Sequence, residues 1–375
     1  MTRYAHVTGW GMAVPKRVLT NDEIAERLDT SDEWIQERTG IAERRIADPE
    51  QSTATLATEA TLRALDVAGL KPAEVGLIIV ATSFPEHIFP STASLVQDQI
   101  GATQAGAFDL SAACTGFIYA LNMAANAIRV GDLDSAVVVG SETLSRIVDW
   151  EDRNTCVLFG DGAGAFILQA SEEPGGVLST VLRSDGSGGD LLSLPAGGSK
   201  LPTSAETVQA RQHYVRMNGR EVFRFATRVM AQATHKAVEG AQLQLDDIDL
   251  IIPHQANKRI IESAARSLKL PLDRFVLNLD RYGNTSTASI PIATCEAVYE
   301  ARLNPGDQVV LVSFGAGLTW GAMTLQWSGP LPERPKVKAW PYRFQRLFGW
   351  YVHLRSALLR LLRRIEGLLW GRPED

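Results

Sequence analysis

Three cysteines in 375 residues, Cys114, Cys156 and Cys295, are too few, too widely spaced and odd in number for a disulfide framework. They point to reduced thiols in a cytoplasm. No C-x-x-C pair occurs and the six histidines are scattered, so no metal site is expected. No run approaches the roughly 18 uncharged apolar residues of a membrane-crossing helix. The N-terminal MTRYAHVTGWGMAVP has no apolar core behind a basic start, so no secretory leader is expected. The net charge of −6 carries no positive excess, which argues against general nucleic-acid binding. The Gly-rich FGDGAGA (159–165) lacks both the lysine of a phosphate loop and G-x-G-x-x-G spacing before a helix. A tight backbone crossing in a sheet is the expectation there.

What is present is an alternation of strand-like and helix-like stretches. VGLIIVATS (75–83) and SAVVVGSE (135–142) are uncharged until their ends, as in strands buried on both faces. Ala105–Leu110 reads as a short buried strand. Thr20 and Ser31 stand as helix caps, STATLATEATLRALDVAGL (52–70) reads as a helix, and 184–206 reads as an extended surface loop. The order then repeats. LIIV at 77–80 matches LIIP at 250–253, an offset of 173, and Gly131-Asp132 matches Gly306-Asp307, an offset of 175. A near-constant offset predicts a duplicated α/β unit: two halves, 1–175 and 176–328, each a mainly parallel sheet covered by helices.

Ligands of open α/β sheets sit at the carboxyl ends of strands. Cys114 falls between a strand end and a helix start, where backbone N–H groups and the helix dipole favour a thiolate. Taken alone, it is equally well a buried small hydrophobe. His254, Asn284 and the turn Phe314-Gly315-Ala316-Gly317 fall at comparable points of the two halves. A Cys, a His and an Asn so placed suggest nucleophilic acyl chemistry: Cys114 attacks a thioester, backbone N–H groups of Cys114 and of the 315–317 turn receive one oxyanion, and His254 and Asn284 donate to a second. Cys156 and Cys295 read as core thiols.

Six strings, SDEWIQERTGIAERR, DLSAACTGFIYAL, FGDGAGA, IIPHQANKRII, YGNTSTASIP and FGAGLTWGA, occur in this order. Across about 3–328 the chain thereby resembles the β-ketoacyl-acyl-carrier-protein synthase III family of the thiolase-like superfamily. The resemblance implies a duplicated five-layer αβαβα fold and a homodimer. It implies a decarboxylating condensation of an acyl-CoA with malonyl-acyl-carrier protein through an acyl-Cys114, with His254 and Asn284 as partners and no cofactor. It further implies that Trp34, Arg38, Arg153 and Asn257 bind CoA, and that Lys258 and Arg259 receive the carrier protein. Phe89 would reach across the dimer into the partner's acyl pocket. Ala316, an oxyanion-hole position, stands where the family commonly has glycine. The glutamate that a hydroxymethylglutaryl-CoA synthase would pair with Cys and His is not evident in the matching segments. A starter-unit or acyl-transfer enzyme of specialised, polyketide-type metabolism would use the same three residues.

Beyond the family body, 329–341 reads as a Pro-rich linker and 342–375 as a basic amphipathic helix. From Arg334 to Asp375 there are ten Lys/Arg against three Asp/Glu. Phe344, Leu347, Tyr351, Leu354, Leu358, Leu361, Ile365 and Leu368 follow one apolar stripe. Two readings remain open for this tail: packing on the enzyme or a partner, and peripheral attachment of an otherwise cytoplasmic protein to a membrane surface.

Overall fold

The computed structural model describes residues 2–332 together with 354, 355, 357–359, 361, 362 and 365. The chain opens with strand β1 (Tyr4–Ala13), the hairpin β2 (Arg17–Thr20) and β3 (Glu43–Ile46), and, between the hairpin strands, helices α1 (Asn21–Ala25) and α2 (Asp32–Thr39). Thr20 caps α1 in a reciprocal capping box with Glu23, and Ser31 caps α2. Helix α3 (Thr53–Ala68), strand β4 (Leu77–Ala81), helix α4 (Thr92–Ile100) and strand β5 (Gly106–Leu110) follow. Then come α5 (Gly116–Val130), β6 (Ser135–Thr143), the short α6 (Arg153–Cys156) and β7 (Asp161–Ser171), whose first residues are the Gly-rich stretch. The second half contains β8 (Val177–Ser184), the small pair β9 (Leu192–Ser193) and β10 (Arg216–Met217), and between them α7 (Ala205–Gln209). It continues with α8 (Gly219–Gly240), β11 (Leu250–Pro253), α9 (Lys258–Leu268), α10 (Leu279–Tyr282), α11 (Ser289–Tyr299), β12 (Gln308–Gly315) and β13 (Thr319–Gln326).

Two sheets result, ordered β1-β7-β6-β4-β5 and β8-β13-β12-β11. Strand for strand they correspond, and a parallel bridge between Ile251 and Phe275 stands where the first sheet has β5. The sheets are mixed, whereas mainly parallel ones were expected. β4 runs parallel to β5 and β6, and β11 parallel to β12, but β1–β7, β6–β7, β12–β13 and β13–β8 are antiparallel. The cause is local in the second sheet: only three residues join β12 to β13, too few for the crossover that a parallel pair needs.

Helices α5 and α11 lie between the sheets. Ala120, Leu121, Ala124 and Ala125 of α5 are fully buried, and the small alanines let the helix contact both sheets at once. Helices α3 and α4 cover the outer face of the first sheet, α8 and α9 that of the second. This is the five-layer αβαβα thiolase-like arrangement. One expectation fails at β5. Its residues are only half-buried or exposed, because it is an edge strand with one row of backbone groups unpaired. The described tail residues are helical, with Leu354, Leu358, Leu361, Leu362 and Ile365 all exposed. The rest of the tail stripe, including Phe344, Leu347, Tyr351 and Leu368, and the linker from 333 onward lie outside the described residues.

Candidate active site

Cys114 sits in a single 3₁₀ turn (Ala113–Thr115) between β5 and α5. Ala113, just before it, has φ +47°, a left-handed conformation unusual for alanine, and this bend aims the thiol out of the chain at the start of α5. The turn between β12 and β13 lies against it: a Cβ added to Gly315 would come within 2.7 Å of the Cys114 nitrogen. Only glycine fits there, so the β12–β13 turn packs directly against the Cys114 backbone. Ser313 Oγ donates to the Cys114 carbonyl at 2.8 Å, tying β12 to the nucleophile turn.

His254 follows β11 directly, and its N–H donates to Val312 O at 2.8 Å. The ring is 1% exposed. Its Nδ1 lies 2.7 Å from Ser289 Oγ, and its face meets the Phe314 ring edgewise at 5.4 Å. Burial lowers its pKa to about 3, so it is neutral throughout the physiological range. Asn284 is pinned through its backbone to both Leu158 O and Gly160 N. Its Oδ1 accepts from the Ser286 N–H at 2.8 Å, which leaves the amide NH₂ as the group free to donate.

The Cys114 thiol is pushed up to about 12, chiefly by burial and further by the charge of Glu142; the Ser286 hydroxyl acts in the opposite direction. The N-terminus of α5 also favours the thiolate. Glu142, next to last in β6, is fully buried and lies outside the matching segments in which no glutamate partner is evident. Ser286, Ser289 and Glu142 are site residues that sequence reasoning missed, and Phe314 was named there only as part of its turn. Glu142 alone left a signal, an acid at the end of an otherwise uncharged strand.

The residues assigned to CoA form a second cluster. Trp34 on α2 has the Arg38 guanidinium 4.7 Å and the Arg153 guanidinium 5.0 Å from its ring centroid. Arg153 also donates to the Asp29 carbonyl at 2.5 Å. Asn257 is the N-cap of α9: its Oδ1 accepts from the Arg259 N–H, and its Nδ2 donates to Arg38 O at 2.9 Å. It therefore fixes α9 to α2, a capping role that its place before KRII could have suggested. Lys258 and Arg259 are exposed, with Arg259 over the Phe223 ring at 5.4 Å. Phe89 and its neighbour Ile88 are 85% and 84% exposed and line no site within their own chain.

Sequence comparison decides which family this constellation belongs to. Residues 108–186 match the family profile described as 3-Oxoacyl-[acyl-carrier-protein (ACP)] synthase III, and 238–327 match its C-terminal counterpart. The Beta-ketoacyl-[acyl-carrier-protein] synthase III of Symbiobacterium thermophilum is 56% identical over 321 residues, 86% of this chain and 97% of its own. The chain belongs to the β-ketoacyl-[acyl-carrier-protein] synthase III family. It is accordingly an acyltransferase, a condensing enzyme of fatty acid biosynthesis. Among solved structures, the synthase III of Aquifex aeolicus superposes with a TM-score of 0.80 at 45% identity, over 86% of this chain and 100% of its own. The priming β-ketosynthase of the R1128 polyketide pathway superposes with a TM-score of 0.82 at 34% identity, over 88% of this chain and 98% of its own.

Proposed function

We propose that this synthase III condenses an acyl-CoA with malonyl-acyl-carrier protein in two half-reactions at Cys114. CoA binds with its adenine against Trp34, between Arg38 and Arg153, and the pantetheine arm passes Asn257. Cys114 attacks the thioester, its proton leaves with the CoA thiol, and an acyl-Cys114 remains. The N–H groups of Cys114 and Ala316 receive the tetrahedral oxyanion. Malonyl-carrier protein then docks at Lys258 and Arg259. Its C–CO₂⁻ bond breaks, and the electron pair passes into the thioester as an enolate. His254, in the tautomer with its proton on Nε2 and Nδ1 accepting from the Ser289 hydroxyl, donates to that oxygen together with the Asn284 amide. The carbanion attacks the acyl carbon and expels the Cys114 thiolate. No step in this course uses a cofactor. The observation that carries the reading is a neutral, buried His254 together with an Asn284 whose carbonyl is already occupied. Both then act as pure donors, as an enolate requires. Intact-mass analysis after exposure to an acyl-CoA panel is expected to show one adduct, absent in Cys114→Ala; an adduct on another residue overturns the assignment. Carbon dioxide release from malonyl-carrier protein separates this course from a non-decarboxylating acyl transfer.

The working unit is a homodimer. The unpaired edge of β5 and the exposed Phe89 support it, since both are covered if two copies join along that edge. The tail is read as a peripheral membrane contact. Leu354, Leu358, Leu361, Leu362 and Ile365 share one helical face and are 41–55% exposed, while Arg355, Arg360, Arg363 and Arg364 supply charge complementary to anionic lipid. Full-length protein is expected to float with anionic liposomes and a chain ending at Gly329 to stay behind. Equal behaviour of the two overturns that reading.

A further inference from the structure

Among the described residues, Glu142 is the fully buried carboxylate whose charge acts on the Cys114 thiol, and the two half-reactions give it no part. Its surroundings are unusual. Oε1 accepts from Thr287 Oγ1 at 3.0 Å, and Oε2 accepts from Thr82 Oγ1 at 3.3 Å. Both oxygens accept from the Ser83 N–H, at 3.0 and 3.1 Å. The Ser286 hydroxyl also reaches it, and lies 3.4 Å from that of Ser83. Every one of these partners is a neutral donor, and none is an arginine or lysine. A buried carboxylate without a cation is expensive to keep. The donors are drawn from two distant places, the end of β4 (Thr82, Ser83) and the turn that carries Asn284 (Ser286, Thr287). These two places meet at β6, where the backbones touch: a Cβ on Gly140 would fall 2.2 Å from Thr287 O.

We infer that Glu142 is a positioning residue for the decarboxylating half of the reaction, clamping the Ser286-Thr287 turn so that the Ser286 N–H holds the Asn284 amide with its NH₂ toward the substrate oxygen. The chain of contacts is continuous. Glu142 holds Thr287, the turn holds the Ser286 N–H in place, and that N–H holds Asn284 Oδ1 at 2.8 Å. The Cys114 backbone is anchored separately, by Ser313 and the β12–β13 turn, and only the Ser286 hydroxyl of the clamped turn reaches its thiol. What Glu142 does to the thiol is electrostatic and adverse, since its negative charge opposes formation of the thiolate.

The two half-reactions therefore respond with opposite signs. In Glu142→Gln one acceptor oxygen becomes an NH₂ that cannot receive the Thr287 or Ser83 donors, and the negative charge is gone. Release of CO₂ from malonyl-carrier protein, measured without acyl-CoA, is expected to fall about tenfold. Acylation of Cys114 by acyl-CoA, followed by intact mass, is expected to hold or rise. Loss of fold or a merely structural role lowers both together, so a parallel fall overturns the inference, as does no change in either. Thr287→Val removes a single donor with little change of volume; it is expected to slow CO₂ release several-fold with acylation unaltered, and decides the matter if Glu142→Gln does not fold. The inference rests on the proposed role of Asn284, and Asn284→Ala tests that separately. If Asn284→Ala leaves CO₂ release intact, the reading beneath fails; if it abolishes release and Glu142→Gln does not slow it, only the positioning role fails.

Discussion

Removing the Ser289 hydroxyl tests how His254 is kept in its working form. In the folded chain Ser289 Oγ lies 2.7 Å from His254 Nδ1, and the two residues are 2% and 1% exposed. Water cannot replace the hydroxyl freely at such depth. In Ser289→Ala the Nδ1 atom is left without a partner, a penalty of about 1–3 kcal/mol for a buried polar atom. With that bond gone nothing holds the proton on Nε2, and the imidazole can take the Nδ1–H form, which turns Nε2 from donor to acceptor and removes one of the two hydrogen bonds to the enolate. At about 1.4 kcal/mol per factor of ten, CO₂ release should fall about 5- to 150-fold. Acylation of Cys114 does not use His254 as a donor and should change less than about twofold. The assay is CO₂ release from malonyl-carrier protein beside acyl-enzyme formation by intact mass, with Ser289→Thr restoring the hydroxyl. If both half-reactions drop equally, or if Ser289→Ala releases CO₂ at the wild-type rate, Ser289 does not set the proton position.

Gly315→Ala places a methyl carbon 2.7 Å from the Cys114 nitrogen, so it should nearly abolish acyl-enzyme formation by intact mass while most of the secondary structure survives by circular dichroism. Trp34→Ala removes the plane shared by Arg38 and Arg153, and KM for acyl-CoA should rise about tenfold with kcat little changed; an unmoved KM places the adenine elsewhere. Acid should destabilise the fold through His254. Below pH about 6.5 the unfolded chain binds a proton that the folded chain refuses until about pH 3, so stability falls as pH drops through that window. Urea midpoints for wild type should therefore fall more steeply between pH 7 and 5 than those of His254→Gln.

Much of this fold can be read from local pattern. The buried strands announce themselves by uncharged β-branched runs, the helices by their Ser and Thr caps, and the duplication by a repeated spacing. The Cys114, His254 and Asn284 positions follow because strand ends converge in any such duplicated sheet pair. What sequence spacing hides is contact between distant segments. Thr287 lies 145 residues from Glu142, and Ser83 lies 203 residues from Ser286, so no window along the chain displays the clamp. The status of β5 is hidden for a different reason. AGAFDL is as apolar as a central strand, and only the order of strands in the sheet makes it an edge.

The family body also ends at a fixed point. Ser328 Oγ donates to Val7 O at 2.9 Å, and the Trp10 indole N–H donates to Pro330 O at 2.9 Å, so the last residues before the linker are nailed to β1. Twelve peptide steps separate Pro330 from Tyr342. At no more than about 3.6 Å per residue, whatever conformation they adopt, they form a leash on the order of 40 Å long. With the tail seated on a membrane surface as proposed, the catalytic body would be confined to a shell about one protein diameter deep above it, and would draw its thioesters from that layer and hand its product back into it.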